Sequence, residues 1–177
     1  GPEAWKQILG GDPTIIFLDE LPPYLEYAVA VPVGDANLGV VTTTEKNGPA
    51  LTRTMLTELS ARKPDVIVFE LGDGLIGTYG VAAILECEDI RKALTAVVLS
   101  ANDPVAAWGG VKLLRERFDI EPCAVTGPAT DNAVGVNIIQ DQMGVRAFNA
   151  MASGAALGDH IIESLGLGAQ LARAAAE

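Results

Sequence analysis

An apolar, β-branched run ends in three closely spaced glycines, and a segment of strong helix formers follows a few residues later. The run is Asp65–Leu71, the glycines are Gly72, Gly74 and Gly77, and the helical segment is Val81–Glu86. This order of strand, glycine turn and helix restricts the chain to folds in which helices cross over a sheet. The glycines allow a sharp turn, a close approach of the backbone to a ligand and tight helix–strand packing.

Strand-like and helix-like segments alternate along the rest of the chain. Strands are predicted at Thr14–Leu18, Tyr27–Val33, Gly39–Thr43, Asp65–Leu71, Ala96–Ser100, Cys123–Thr126 and Arg146–Asn149. Helices are predicted at Leu51–Arg62, at Pro104–Phe118 after an Asp103 N-cap, at Ala133–Gln142, and at Gly154–Glu177 with a break near Gly166 and Gly168. Strands that are apolar throughout are typical of a parallel sheet covered by helices on both faces. We therefore expect an α/β fold, a three-layer α/β/α sandwich that is Rossmann-like with a mostly parallel sheet.

The length of the chain, 177 residues, indicates one α/β domain over residues 1–177. Apolar residues make up 49% of it and charged residues 20%, which is a globular composition. Residues 1–45 differ, because their predicted strands lie close together and prolines separate them, so a hairpin or an appended strand-rich segment stays an alternative there. The chain begins Gly1-Pro2 instead of Met, which is typical of a processed piece or a fragment.

The charge of the chain limits the partners that it can have. Twelve Lys and Arg against 23 Asp and Glu give a net charge of −11, which disfavours nucleic acid and anionic membranes as partners. Apolar runs are too short for a membrane span, and no signal peptide opens the chain. The two cysteines form no C-x-x-C pair, which favours a reducing compartment. We expect a cytoplasmic enzyme of small-molecule metabolism. The apolar, Ala-rich tail Leu165–Ala176 packs on its own domain or forms a dimer contact, so a homo-oligomer stays an alternative.

The single histidine, His160, lacks the partners that a His-based triad or a zinc site needs. We expect it to lie on a helix surface or to make an ordinary hydrogen bond. No metal site is predicted under the leading interpretation.

Polar residues follow the carboxyl ends of several predicted strands. Parallel strands meet at one edge, where α/β proteins bind ligands, so we expect these loops to form a single site. Its candidate residues are Gly72, Asp73, Gly74, Gly77, Ser100, Asn102, Asp103, Thr126, Asp131 and Asn132. Asp, Asn, Ser and Thr also cap helices, so capping stays an alternative for each loop. Lys46, in the loop after Gly39–Thr43, is a speculative acid/base, because a lysine at a polar rim can be tuned toward neutral pH.

The spacing Gly72-x-Gly74-x-x-Gly77 resembles the fingerprint of Rossmann-type NAD(P)-binding domains, and the resemblance covers about residues 65–131. It implies NAD(P) as cofactor, with the pyrophosphate on the glycine turn, and an oxidoreductase activity. The acidic residue that binds a ribose hydroxyl in this family corresponds to Asp103, or Asp103 is only the cap of the next helix. Asp103 follows Gly77 by 26 positions, which is later than the family's usual spacing of about 20. The catalytic residues stay unidentified.

Residues 66–75 also resemble the second conserved strand of dethiobiotin-synthetase-like P-loop ligases. This resemblance implies Mg²⁺ and ATP, with Glu70 and Asp73 as ligands of Mg²⁺ or of substrate. The P-loop itself is incomplete, because Val40 and Val41 replace its Lys and its hydroxyl residue after the spacing Gly34-x-x-x-x-Gly39. Two alternatives to an NAD(P)-dependent oxidoreductase therefore stay open. The chain is half of such a ligase or a degenerate homologue of it, or it is a non-catalytic α/β assembly module.

Overall fold

The computed structural model describes residues 44–64 and 66–166, together with the backbone of residues 32–33 and 36–37. The elements are β1 (Pro32–Val33), β2 (Ala36–Asn37), α1 (Gly48–Ala61), α2 (Val81–Glu86), α3 (Glu88–Ala93), β3 (Val98–Ser100), α4 (Pro104–Phe118), β4 (Ala124–Thr126), a 3₁₀ turn (Pro128–Thr130), α5 (Ala133–Met143), β5 (Arg146–Ala147) and α6 (Ala150–Ser164). The predicted strands Thr14–Leu18 and Gly39–Thr43, and most of Tyr27–Val33, lie outside the described residues.

Strands β3, β4 and β5 form a parallel sheet in that order. Val125 is the central residue of the sheet, opposite Leu99 on one side and Ala147 on the other. Helices α4 and α5 connect the successive strands, which is the crossover that parallel strands require. An α/β architecture with a parallel sheet is therefore confirmed. Near the start of the chain, β1 and β2 pair antiparallel, with Val33 opposite Ala36.

Two apolar clusters pack on the helices that connect the strands. The first joins the sheet to α4 and α5, and its buried members are Ala101, Ala107, Val111, Val125, Ala129, Ile139, Met143, Val145 and Ala147. The second joins α2 to the end of α4, and its buried members are Val81, Leu85, Leu114, Phe118 and Ile120. Leu99 of β3 packs against both clusters, so the sheet and the two sets of helices share one core.

The predicted strand Asp65–Leu71 is wrong for residues 66–71, which belong to no strand. Ile67, Phe69 and Leu71 are half-buried, whereas Val66 and Val68 are 43% and 64% exposed. The backbone of these residues makes no hydrogen bond within the described part of the chain. An apolar run thus predicted a strand buried on both faces, but only one face of the segment packs, and no strand among the described residues pairs with it.

Most other boundaries differ by a few residues. The strands predicted at Ala96–Ser100, Cys123–Thr126 and Arg146–Asn149 are shorter, because ladder pairing covers only β3, β4 and β5. The last helix begins at Ala150 instead of Gly154, and residues 167–177 of the predicted Gly154–Glu177 helix lie outside the described residues. Helix α3 was not predicted, although acidic residues in its first turn and basic residues in its last turn suit the helix dipole.

Candidate functional site

The carboxyl ends of β3 and β4 lie side by side, with Ser100 opposite Thr126. Beyond them, the Ala101 N–H donates to the Thr126 carbonyl at 3.0 Å, and the Ala129 N–H donates to the Ala101 carbonyl at 2.9 Å. The structure therefore brings the predicted loops at residues 100–103 and 126–132 to one edge of the sheet. We call this edge the rim, and it also includes Asn149, which follows β5.

Gly127 is the point at which the two loops approach most closely. Its φ of 89° lies in the region that disfavours side chains, and a Cβ there would lie 2.7 Å from the Ser100 Oγ and 2.8 Å from the Ala101 carbonyl oxygen. Only glycine combines this backbone conformation with this proximity. The sequence marked the loop as polar but did not indicate the approach of the two backbones.

Two of the predicted site residues cap helices. The Asp103 Oδ1 accepts hydrogen bonds from the N–H groups of Val105 at 2.7 Å and Ala106 at 2.9 Å, at the start of α4. The Asn132 Oδ1 accepts from the Gly135 N–H at 3.0 Å, at the start of α5. The capping alternative is therefore correct for both side chains, and this role leaves other atoms of the same groups for a ligand.

Asn149 is a rim residue that sequence reasoning missed. Its Oδ1 accepts from the N–H groups of Met151 at 3.0 Å and Ala152 at 2.8 Å, so it caps α6. Its Nδ2 lies 3.5 Å from the Asp131 Oδ1, which ties the loops after β4 and β5 together. An Asn directly before an Ala-rich helical run is the signal that predicts this cap.

The remaining polar side chains of the rim differ in exposure. Ser100, Asn102 and Asp131 are exposed at the edge. The Oγ1 of Thr126 is buried and has no hydrogen-bond partner within the described residues. A buried hydroxyl without a partner is uncommon in proteins, so the end of β4 holds unused hydrogen-bonding capacity.

The glycine turn has a different internal structure from the one that its spacing predicts. The Asp73 Oδ2 accepts a hydrogen bond from the Tyr79 N–H at 3.0 Å, and the Gly77 N–H donates to the Gly74 carbonyl at 2.8 Å. A Cβ on Gly77 would overlap the Asp73 carboxylate. The third glycine therefore makes room for Asp73 instead of packing a helix on a strand, and α2 begins only at Val81.

The space over the first two glycines of this turn is open. A Cβ on Gly72 or Gly74 would meet no atom of the described residues within 4 Å. Leu71 and Leu75, which flank them, pack against the cluster that also contacts Leu99 of β3. The turn is thus anchored by the cluster of α2 and the end of α4, and within the described residues no hydrogen bond joins it to the rim.

Lys46 lies in a turn that packs against the start of α2. The Asn47 Oδ1 accepts from the Thr44 N–H at 2.6 Å, and a Cβ on Gly80 would lie 2.5 Å from the Thr44 carbonyl oxygen. The Lys46 side chain is exposed and forms no ion pair within the described residues. Lys46 thus directly precedes Asn47, the N-cap of α1, and its acid/base role stays a prediction.

Glu70 and Asp73 were the predicted Mg²⁺ ligands of the ligase alternative. Glu70 is exposed, and Asp73 already accepts the hydrogen bond from Tyr79. Within residues 44–64 and 66–166, the structure contains no group of three or more His, Cys, Asp and Glu side chains placed to hold a metal ion.

Two surface clefts lie away from the rim. One, of about 410 Å³, runs along α4 from Trp108 to Arg117. The other, of about 380 Å³, lies between β5 and α6 and includes His160. The His160 Nε2 lies 2.9 Å from the Cys123 carbonyl oxygen, so the expected ordinary hydrogen bond is confirmed. Burial raises the pKa of the Cys123 thiol above its usual value.

No protein-family model, curated protein or solved structure matches this chain. In the part that the structure describes, none of the helices combines the length and the apolar character that crossing a membrane requires.

Proposed function

We propose that this chain is a nucleotide-cofactor-binding domain of a cytoplasmic small-molecule enzyme. The favoured cofactor is NAD(P), the favoured reaction class is oxidoreduction, and the complete fold is a three-layer Rossmann-like sandwich. The observation that carries the proposal is the rim, where Ser100 and Thr126 lie opposite each other at the carboxyl ends of parallel strands. Ligands of open α/β sheets bind at this edge.

Two features of the described residues fit the parts of a dinucleotide. The open space over Gly74 supports binding of a pyrophosphate, because no side chain keeps the ligand from the backbone there. Asp103 follows β3 and uses its Oδ1 for the helix cap, while its Oδ2 makes no hydrogen bond within the described residues. That second oxygen supports binding of a ribose hydroxyl, since an ionised carboxylate accepts hydrogen bonds on both oxygens.

Mg²⁺ with ATP is the less favoured ligand. Magnesium prefers carboxylate and phosphate oxygens, and the described residues contain no group of three or more His, Cys, Asp and Glu side chains placed to hold a metal ion. The P-loop Lys and hydroxyl residue are also replaced in the sequence by Val40 and Val41. The complete glycine spacing therefore favours NAD(P).

Thermal unfolding with NAD⁺, NADP⁺, ATP, and ATP with Mg²⁺ tests the proposal. A ligand that binds only the folded state at a hundredfold excess over Kd stabilises it by about 2.7 kcal/mol. We expect stabilisation by NAD⁺ or NADP⁺ that is lost in Gly74→Val, because a side chain there blocks the pyrophosphate. Gly158→Val is the matched control, because it adds the same side chain at another open position, on α6.

The other outcomes contradict the proposal in distinct ways. A Mg²⁺-dependent stabilisation by ATP that Asp73→Ala abolishes supports the ligase alternative. No stabilisation by any of the four ligands supports a non-catalytic assembly module.

A further inference from the structure

The cleft between β5 and α6 is separate from the rim. It has a volume of about 380 Å³, and its lining residues are Arg146, Phe148, Ala156, Asp159, His160 and Glu163. His160 contacts the carbonyl of Cys123, which precedes β4, whereas the rim follows the carboxyl end of that strand. The His160 side of the cleft therefore lies toward the amino end of β4, and the volume of the cleft is in the range of small-molecule sites.

One wall of the cleft carries a positive charge. The Arg146 guanidinium lies 5.4 Å from the centre of the Phe148 ring, and Phe148 is only 8% exposed, so a well-packed ring supports the cation. Arg146 forms no ion pair or hydrogen bond within the described residues. A guanidinium placed in this way is suited to a carboxylate, because its planar fork of N–H donors matches two carboxylate oxygens.

The opposite wall carries two negative charges. Asp159 and Glu163 are one helical turn apart on α6, so their side chains share a face of the helix. Neither carboxylate forms an ion pair within the described residues, although both line the same cleft as Arg146. Like charges at this spacing repel each other, and a cation between them removes the repulsion. This wall is therefore suited to a positively charged group.

His160 adds a third acceptor to the negative wall. A carbonyl oxygen only accepts hydrogen bonds, so the Nε2 that contacts the Cys123 carbonyl carries the proton. In the neutral ring, Nδ1 then keeps its lone pair and accepts a hydrogen bond. The ring is also held at 5.3 Å from Phe148, so the orientation of His160 is set from two sides.

We infer that this cleft binds a small zwitterion of the α-amino acid type. Its carboxylate binds Arg146, and its ammonium group binds Asp159 and Glu163. A simple anion is repelled by the two carboxylates, and a metal ion is repelled by Arg146 and lacks a third acidic ligand. A zwitterion satisfies both walls, because each of its charges meets the opposite charge.

His160 provides a direct readout, because the chain contains one histidine and its ring protons give one set of NMR signals. The probes are alanine as the zwitterion, acetate as the anion alone and methylammonium as the cation alone. We expect alanine to shift the His160 signals saturably at up to about 50 mM, which covers the millimolar affinity of so small a ligand. Acetate and methylammonium at the same concentrations leave the signals unchanged.

Substitutions in the cleft separate this site from a general effect of the ligand. Arg146→Gln and Glu163→Gln each remove one exposed charge, so the fold persists, and each weakens alanine binding at least about tenfold. Arg62→Gln and Glu116→Gln are the matched controls, because they remove the same charges outside the cleft and leave the affinity unchanged. No saturable shift with alanine, equal shifts with all three probes, or an affinity that Arg146→Gln leaves unchanged overturns the inference.

Discussion

The hydroxyl of Thr130 lies 2.9 Å from the carbonyl oxygen of Phe148 and 2.7 Å from that of Gly127. Thr130 is 1% exposed, so this contact is buried between the turn after β4 and the end of β5. The two loops therefore hold one position relative to each other, and the rim is a fixed surface instead of a set of independent loop ends.

Thr130→Val removes this hydroxyl and keeps the shape of the side chain. We expect a loss of about 1–3 kcal/mol in the free energy of unfolding, because the buried carbonyl of Phe148 loses a hydrogen-bond donor. Urea denaturation measures the loss, and Thr130→Ser, which keeps the hydroxyl, is expected to lose less. Equal stability of the valine variant and the wild type contradicts a structural role for the hydroxyl.

Substitution of Gly127 by alanine and of Gly109 by alanine is expected to change the stability of the protein in opposite directions. Gly127→Ala is destabilising by more than about 1 kcal/mol, because the new Cβ meets Ser100 and Ala101 in an unfavourable backbone conformation. Gly109→Ala stabilises by about 0.5–1 kcal/mol, since Gly109 lies inside α4 with no atom within 4 Å of its Cβ. Thermal denaturation of both variants checks the pair, and a shift of the same sign in both contradicts it.

Two substitutions of Asp103 distinguish its role as a helix cap from a role in ligand binding. Asp103→Ala loses the cap of α4 and about 1 kcal/mol of stability, whereas Asp103→Asn keeps an oxygen acceptor and most of the stability. If the carboxylate also binds a ribose hydroxyl, Asp103→Asn weakens NAD(P) binding while the protein stays stable. Denaturation and NAD(P) titration of the same variant distinguish the two roles, and unchanged NAD(P) affinity limits Asp103 to capping.

Sequence patterns predicted the features that depend on local chemistry. The Asp103-Pro104 start of α4 is correct, because an N-cap and a proline at the first helical position act within one turn. The strand at residues 66–71 failed, because an apolar run shows that side chains need burial but not which strand will pair with them.

The rim was predicted in outline and missed in detail for the same reason. Parallel strands bring their carboxyl ends together wherever they pair, which placed Ser100 and Thr126 correctly. The Thr130–Phe148 contact joins residues 18 positions apart, and the cleft at His160 joins β5 to residues of α6; no spacing in the sequence indicates either. The Asp73 carboxylate lies against Gly77 and accepts a hydrogen bond from the Tyr79 N–H, which shows that glycine spacing alone does not determine what fills the turn.

The ion pair between the surface residues Arg53 and Asp89 makes a contribution to stability that depends on pH. Two hydrogen bonds of 2.6 and 2.8 Å from the Arg53 guanidinium lower the pKa of Asp89 from 3.8 to about 2. Because the folded pKa lies below the ordinary one, the contribution of this pair to stability is present above about pH 4 and is lost as the pH falls toward 2.

A ¹³C NMR titration of the Asp89 carboxyl group measures this pKa. Arg53→Gln is expected to return it toward 3.8, and Lys92→Gln, which removes a cation that pairs with Glu88 instead, is expected to leave it unchanged. A wild-type midpoint near 3.8 contradicts the interaction.

¹H–¹⁵N NMR mapping with NAD⁺ and NADP⁺ locates a nucleotide cofactor that binds at the rim. Each backbone amide reports its own surroundings, so the location of the bound ligand is read residue by residue. We predict saturable shifts concentrated at residues 72–77, 100–103 and 126–132, with the amides of α6 near His160 unchanged. Shifts confined to the cleft between β5 and α6, or no saturable shifts with either cofactor, would contradict this prediction.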